Sequence, residues 1–240
     1  MRKALAALAA ALFATQASAG PPYQTDDPEP TELGHWEIYN FVTASGRGGE
    51  VDGAAGLDLN YGAAKGVQLT ATLPIAFARD VNTGWRGGRG DIELGAKYRF
   101  VNDEKSGWQA AIFPRVILPA ATHGLGGPHA RFLLPLWVQK DLGKTAVFGG
   151  GGYEINPGKG NQDFWVAGLA VTHDVTDRLS LGTEVSWQSA DTVGGDGSTG
   201  LNVGLVQKLG GPFALLLAGG PRFSGREASY HGYAALSLNF

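Results

Sequence analysis

Apolar and polar residues alternate along most of this chain, and the 3.6-residue period of an amphipathic helix is absent. The clearest case ends the sequence, where Tyr230, Leu236 and Phe240 fall on one face of a strand and Ser237 and Asn239 fall on the other. An alternating strand offers one apolar and one polar face to its surroundings. The pattern therefore predicts an all-β chain made of amphipathic strands.

Twelve alternating segments follow residue 34. Their approximate cores are 35–43, 53–61, 67–78, 91–100, 108–119, 131–140, 145–155, 164–173, 179–188, 199–209, 213–222 and 229–240. Most match the roughly 9–11 residues of a tilted membrane strand. The connections alternate between short turns and longer, often glycine-rich loops, as in membrane barrels. The sequence predicts a transmembrane antiparallel up-and-down β-barrel of about 12 strands over residues 35–240.

The composition excludes several other classes of protein. Charged residues make up only 17% of the chain, against roughly 25% in soluble domains. The longest apolar run, 4–14, is too short for the roughly 20 residues of a membrane helix. A closed barrel is the other structure that satisfies every backbone hydrogen bond in lipid. The net charge of −3 and the lack of a basic cluster argue against nucleic acid as a partner.

Both ends of the chain predict export to the bacterial outer membrane. Residues 1–19 have the basic start, apolar middle and Ala-Ser-Ala ending of a cleaved signal peptide. The terminal Phe240 on an amphipathic strand resembles the signal by which the barrel-assembly machinery of Gram-negative bacteria binds its substrates. Outer-membrane lipid would then surround the apolar strand faces. The alternative is a soluble β-sandwich, which would bury those faces between two sheets.

Residues 20–34 lack alternation and are rich in proline and acidic residues. They predict an extended N-terminal segment before the first strand. Two placements remain open for it. The segment either enters the barrel lumen as a plug or stays outside as a periplasmic tail.

Strand parity predicts which side chains line the lumen. An Arg or Lys facing the middle of the membrane costs about 2–4 kcal/mol, so charged strand residues are expected to point inward. Ten side chains are predicted to line the lumen: Glu93, Lys97, Arg99, Phe113, Arg115, Arg131, Trp137, Glu154, Glu184 and Tyr233. The charged members would set a field across the pore. The aromatic members would either bind apolar solutes or fill a small barrel.

Several stretches of the chain resemble an outer-membrane β-barrel family labelled meta-pathway phenol-degradation proteins or transporters. They are Thr25-Asp26-Asp27-Pro28-Glu29-Pro30, Gly34-His35-Trp36-Glu37, 57–62, 134–137 with 139–140, 151–153 with 155–158, and 191–195 with 198–200. The resemblance implies an outer-membrane barrel that transports small solutes, aromatic compounds among them. It supplies no functional residues to carry over.

No catalytic, metal or cofactor motif emerges from the sequence. His123 and His129 share a loop but have neither zinc spacing nor a nearby Cys, and Val138 stands where a phosphate loop requires Gly. We therefore predict a channel or diffusion porter for small solutes, including aromatic or hydrophobic compounds, rather than an enzyme. A non-conducting structural or adhesion barrel is one alternative. The other is a lipid-modifying enzyme, for which His231 and Ser229 are the nearest base and nucleophile.

Overall fold

The computed structural model describes residues 22–240. The predicted signal peptide lies outside the described residues. Within them no helix is long and apolar enough to cross a membrane. The strands are β1 (Trp36–Arg47), β2 (Glu50–Ala64), β3 (Val67–Asp80), β4 (Gly84–Arg89), β5 (Ile92–Asp103), β6 (Trp108–Ile112), β7 (Arg115–Leu118), β8 (Arg131–Leu142), β9 (Thr145–Ile155), β10 (Phe164–Thr176), β11 (Leu179–Gln188), β12 (Ser198–Gly210), β13 (Phe213–Ser224) and β14 (Glu227–Asn239).

The strands close into an antiparallel barrel with twelve wall positions. Each wall strand pairs with its neighbours in sequence, and β14 returns to pair with β1 over ten residues, from Glu37↔Asn239 to Gly46↔Tyr230. Closure pairs each of the twelve wall positions on both sides, so the wall itself has no open edge. The predicted closed barrel of about 12 strands is confirmed.

Each predicted segment overlaps one wall position, with two differences in detail. The segment 108–119 is divided into β6 and β7, which both lie between β5 and β8. The division falls at Phe113-Pro114, because proline has no N–H to donate to the ladder. The second difference is β4, a short strand that pairs with the end of β3 inside a predicted loop.

The two ends of the barrel differ in their connections. One end carries the first residue of β1 and the last residue of the chain, joined by a hydrogen bond from Trp36 N to Phe240 O of 2.7 Å. Its connections are turns of two to four residues, and we call it the short-turn end. The opposite end carries the longer connections 119–130, 156–163 and 189–197, and we call it the long-loop end.

The distribution of side chains is the reverse of that in a water-soluble domain. Large apolar residues are exposed on the outer wall, including Leu134, Leu169 and Leu236, whereas Gln139 and Asn202 are buried inside. Aromatic pairs lie near both ends of the wall. Trp36 contacts Tyr61 near the short-turn end, and Tyr153 contacts Trp165 near the long-loop end, each with ring centroids 4.8 Å apart. This is the arrangement expected of a wall that faces lipid.

Candidate functional site

The N-terminal segment, residues 22–34, runs inside the barrel. It passes the short-turn end beside β2, where Gly34 N donates to Gly62 O at 2.7 Å. Further in, Thr25 and Asp27 are each only 1% exposed, although neither belongs to a strand. Of the two placements that the sequence left open, the structure shows the one inside the lumen.

Polar contacts attach the inserted segment to opposite walls. On one side Lys97 Nζ lies 3.0 Å from Asp26 Oδ1 and 3.6 Å from Asp27 Oδ1. On the other side Thr25 N donates to Glu184, and Arg222 Nη2 donates to the Gln24 side chain at 2.6 Å. The segment therefore crosses the lumen from β13 to β5 instead of following one wall.

Glycines on the wall make room for the segment. A Cβ added at Gly168 would lie 1.9 Å from Thr25 Oγ1, and one added at Gly182 would lie 2.4 Å from the Tyr23 hydroxyl. Both positions face inward on adjacent strands, β10 and β11. A side chain at either position would occupy the space of the segment, so glycine here permits close approach of the chain.

The structure places most of the ten predicted lumen residues in polar contacts. Lys97 pairs with the segment, Arg115 Nη1 lies 3.2 Å from Glu93 Oε1, and Arg131 Nη1 lies 2.8 Å from Glu154 Oε1. Arg99 donates to the Gln109 side chain at 2.7 Å, and Glu184 accepts from Thr25 and Asn202. Five of the seven charged candidates thus form ion pairs, whereas Arg99 and Glu184 bond to neutral groups. Their part in solute passage stays a prediction.

The three aromatic lumen candidates are packed against other side chains. Phe113 lies between two cations, with Lys97 Nζ 5.2 Å and the Arg115 guanidinium carbon 4.8 Å from its ring centroid. Tyr233 stacks on Phe41 with centroids 6.4 Å apart. Trp137 is 3% exposed, and its Nε1 has no hydrogen-bond partner among the described residues. Of the three, Trp137 is the one with a fully buried polar atom that has no hydrogen-bond partner in the described residues.

A cavity of about 120 Å³ lies on the long-loop side of the segment. Gln24 and Thr25 line one side of it, and residues of β7, β8 and β10–β13 line the rest. Arg115 and Arg222 are its charged lining residues, and no Asp or Glu of the described chain joins them. We call this cavity the donor chamber because of the N–H and O–H groups in its wall.

A second cavity, of about 140 Å³, lies beside the acidic part of the segment. Lys97 and Arg115 line it together with six carboxyl groups: Asp26, Asp27, Glu29, Glu37, Asp58 and Glu93. Burial raises the pKa of the Asp27 carboxyl, an effect that Lys97 opposes. We call this cavity the acidic chamber.

A larger vestibule of about 650 Å³ lies at the long-loop end. Asp91, Arg131 and Glu154 form an ion-paired group in its wall, with Arg131 Nη2 3.9 Å from Asp91 Oδ2. Asp91 also accepts hydrogen bonds from Ala121 N and Gly127 N, which fixes the loop above. Val166 and Gln188 line both the vestibule and the donor chamber, so the two spaces adjoin.

The prediction from strand alternation did not include every residue of this site. Ser186 and Arg222 occupy inward positions of β11 and β13, so the alternation contained the signal for both. Gln24 and Thr25 carried no such signal, because their burial depends on where a segment without secondary structure lies.

The side chains around His231 do not have the arrangement of a hydrolytic site. His231 Nδ1 lies 3.2 Å from Ser45 Oγ, and no acidic side chain bonds to this histidine in the described chain. A nucleophile and base need a third group to orient the base. Within residues 22–240, no group of three or more His, Cys, Asp or Glu side chains is placed to hold a metal ion.

Comparison with known proteins supports the architecture. No protein-family model matches the chain, and no curated protein sequence matches it. Among solved structures it is similar to an outer-membrane channel from Pseudomonas putida F1, with a TM-score of 0.74 and 15% identity over 89% of this chain and 98% of that one. It is also similar to the KdgM porin, with a TM-score of 0.60 and 10% identity over 85% and 99% of the two chains.

A third similar structure is the translocator domain of the autotransporter NalP from Neisseria meningitidis. Its TM-score is 0.55, with 12% identity over 87% of this chain and 89% of that one. At such low identities these likenesses establish the fold, which is that of a closed membrane-type β-barrel.

Proposed function

We propose that this protein is an outer-membrane channel or diffusion porter for small solutes, including aromatic or hydrophobic compounds. The observation that carries the proposal is a closed barrel with an apolar outer wall and a polar, charged lumen. Such a wall is stable only in lipid, and the polar lumen offers a path across it. The similar outer-membrane channel and porin support the same assignment.

The inserted segment makes the channel a controlled one. It separates the donor chamber from the acidic chamber, and each is far smaller than the roughly 300–1,000 Å³ of a typical ligand pocket. Solutes would enter from the vestibule at the long-loop end and pass the segment only when it moves. Aromatic rings in the segment and beside it, namely Tyr23 of the segment and Trp137 and Phe148 of the wall, suit apolar or aromatic solutes.

The same segment favours one alternative function. If it never leaves the lumen, the protein is a non-conducting barrel with a structural or adhesive role. The lipid-modifying alternative has no comparable support, since His231 contacts Ser45 inside the barrel without an acidic partner in the described residues.

Solute uptake by proteoliposomes tests the proposal. Purified full-length protein, shown to be folded by heat-modifiable gel mobility, is reconstituted and the influx of benzyl alcohol, benzoate and glucose is measured. We expect faster influx of the aromatic solutes than in protein-free vesicles. Influx equal to that of protein-free vesicles for every solute, from a folded barrel, would show that the barrel does not conduct.

A further inference from the structure

The donor chamber collects polar groups that have no partner. The described chain contains eleven buried side-chain N or O atoms without a hydrogen bond, and residues lining this small cavity carry five of them. They are Thr25 Oγ1, Arg115 Nε, Trp137 Nε1, Ser186 Oγ and Arg222 Nε. Buried polar groups are almost always paired with protein or with ordered water, so a concentration of groups without a protein partner marks a place where water or a ligand binds.

The unpaired groups share one chemical character. The two arginine nitrogens and the indole nitrogen can only donate, and the two hydroxyls can donate or accept. Trp137 and Ser186 are 3% and 6% exposed, so bulk water does not satisfy them. A ligand that matches this set must be an acceptor with more than one oxygen.

Charge narrows the ligand class further. Arg115 is already paired with Glu93 at 3.2 Å. Arg222 has no carboxylate within salt-bridge distance in the described chain, and its only side-chain hydrogen bond goes to the neutral Gln24. The charge of Glu184 acts on Arg222 from beyond salt-bridge distance, so no carboxylate contacts this half-buried guanidinium directly. Arginine binds planar carboxylates with two parallel hydrogen bonds, so a ligand carboxylate suits this position.

We propose that the donor chamber binds the carboxylate of a small monocarboxylic solute with an aromatic or aliphatic body. The chamber volume of about 120 Å³ suits a head group with little else. Leu133 and Val166 give it an apolar side, and Trp137 offers a ring as well as its N–H. The body of the solute would extend toward the vestibule, which shares Val166 and Gln188 with the chamber. This inference names a substrate class and rests on the proposed function.

Calorimetric binding to the detergent-solubilised full-length protein tests this assignment without requiring transport. Benzoate is compared with benzyl alcohol, which keeps the ring and loses the charge, and with inorganic phosphate. Hydrogen bonds to charged groups predict benzoate affinity about tenfold or more above that of benzyl alcohol. Equal affinities, tighter binding of phosphate, or no binding of any of the three would overturn the assignment.

Single substitutions test whether benzoate binds in the donor chamber. Arg222→Gln is expected to weaken benzoate binding about tenfold or more, because it removes the guanidinium that would pair with the carboxylate. Trp137→Phe keeps an aromatic ring and loses the N–H, so it should weaken benzoate by a smaller factor, as should Ser186→Ala. Arg226→Gln, at an exposed arginine near the same end of the barrel, is the matched control and should change nothing.

The outcomes separate this inference from the channel assignment. Folded Arg222→Gln protein that binds benzoate as Arg226→Gln does would overturn the carboxylate site even if vesicles conduct. Tight, Arg222-dependent benzoate binding by a barrel that does not conduct would uphold the site and overturn the channel.

Discussion

The donor chamber and the acidic chamber are similar in size, about 120 and 140 Å³, and the same inserted segment forms part of both. They differ in which polar side-chain atoms around them have no hydrogen-bond partner. Around the first, the free atoms include Arg222 Nε and Trp137 Nε1, which donate, whereas Asp27 Oδ2 and Glu29 Oε2, which accept, are free around the second. A few residues of the inserted segment thus separate the donor chamber, which suits anions, from the acidic chamber, which suits cations.

The difference has its origin in the segment as much as in the wall. Its neutral residue Thr25 lines the donor chamber, Gln24 lines both chambers, and the acidic residues from Asp26 to Glu29 lie in the acidic chamber with Lys97. Because no single wall could satisfy both halves, the segment is held across the lumen. One short stretch thus occupies the lumen and sets the character of the cavity on each side of it.

Removing the segment should abolish the difference between the two chambers. Deletion of residues 22–31 joins the two chambers, so we expect the largest change of all variants, a several-fold rise in single-channel conductance in planar bilayers. Residues 1–21, which include the predicted signal peptide and cleavage site, are kept in this variant. Heat-modifiable mobility confirms that the barrel still forms, and a folded deletion variant with unchanged conductance would refute the role of the segment.

Changing Lys97→Gln should disturb the acidic chamber most. Lys97 and Asp27 are 4% and 1% exposed, and removing one partner of a buried ion pair costs about 3–5 kcal/mol. We expect the segment to leave the lumen at this cost instead of the barrel unfolding. Conductance and cleavage of the segment by protease should both increase.

Lys65→Gln, at an exposed lysine in the turn between β2 and β3, is the matched control for that change. It should leave conductance and protease cleavage as they are. Equal behaviour of the two variants would mean that the ion pair does not hold the segment.

A methyl group added at Gly168, on the wall opposite Lys97, should change the conductance less than Lys97→Gln does. In Gly168→Ala the new Cβ would lie 1.9 Å from Thr25 Oγ1, so the segment must shift on the donor side while the Lys97 pair still holds it. We expect conductance above that of the unmodified protein and below that of Lys97→Gln. Gly232→Ala is the control, since an added Cβ there meets nothing within 4 Å.

The sequence predicted the barrel because the wall strands alternate over their full length, and this pattern needs no distant partner to be recognised. The break at Pro114 was visible as a residue, but the alternation continues through 108–119 and concealed it. The strand β4 was missed because Gly84–Arg89 has almost no apolar alternation, and it is a strand only through its pairing with an overlong β3.

The site could be predicted only in part. The charged residues at inward positions were identified because lipid excludes them from the other face. The position of the segment could not be predicted in this way. It depends on the space left by Gly168 and Gly182 and on the ion pair with Lys97, all of them far from the segment in sequence.

The burial of Thr25 is the most direct test of the account, because the chambers exist only if the segment lies inside the barrel. The chain has no cysteine, so a single Thr25→Cys substitution gives one labelling site. In the folded barrel this cysteine should resist a water-soluble maleimide, whereas Glu32→Cys, exposed seven residues further along the same segment, should react quickly. Equally rapid labelling of both positions would contradict the account.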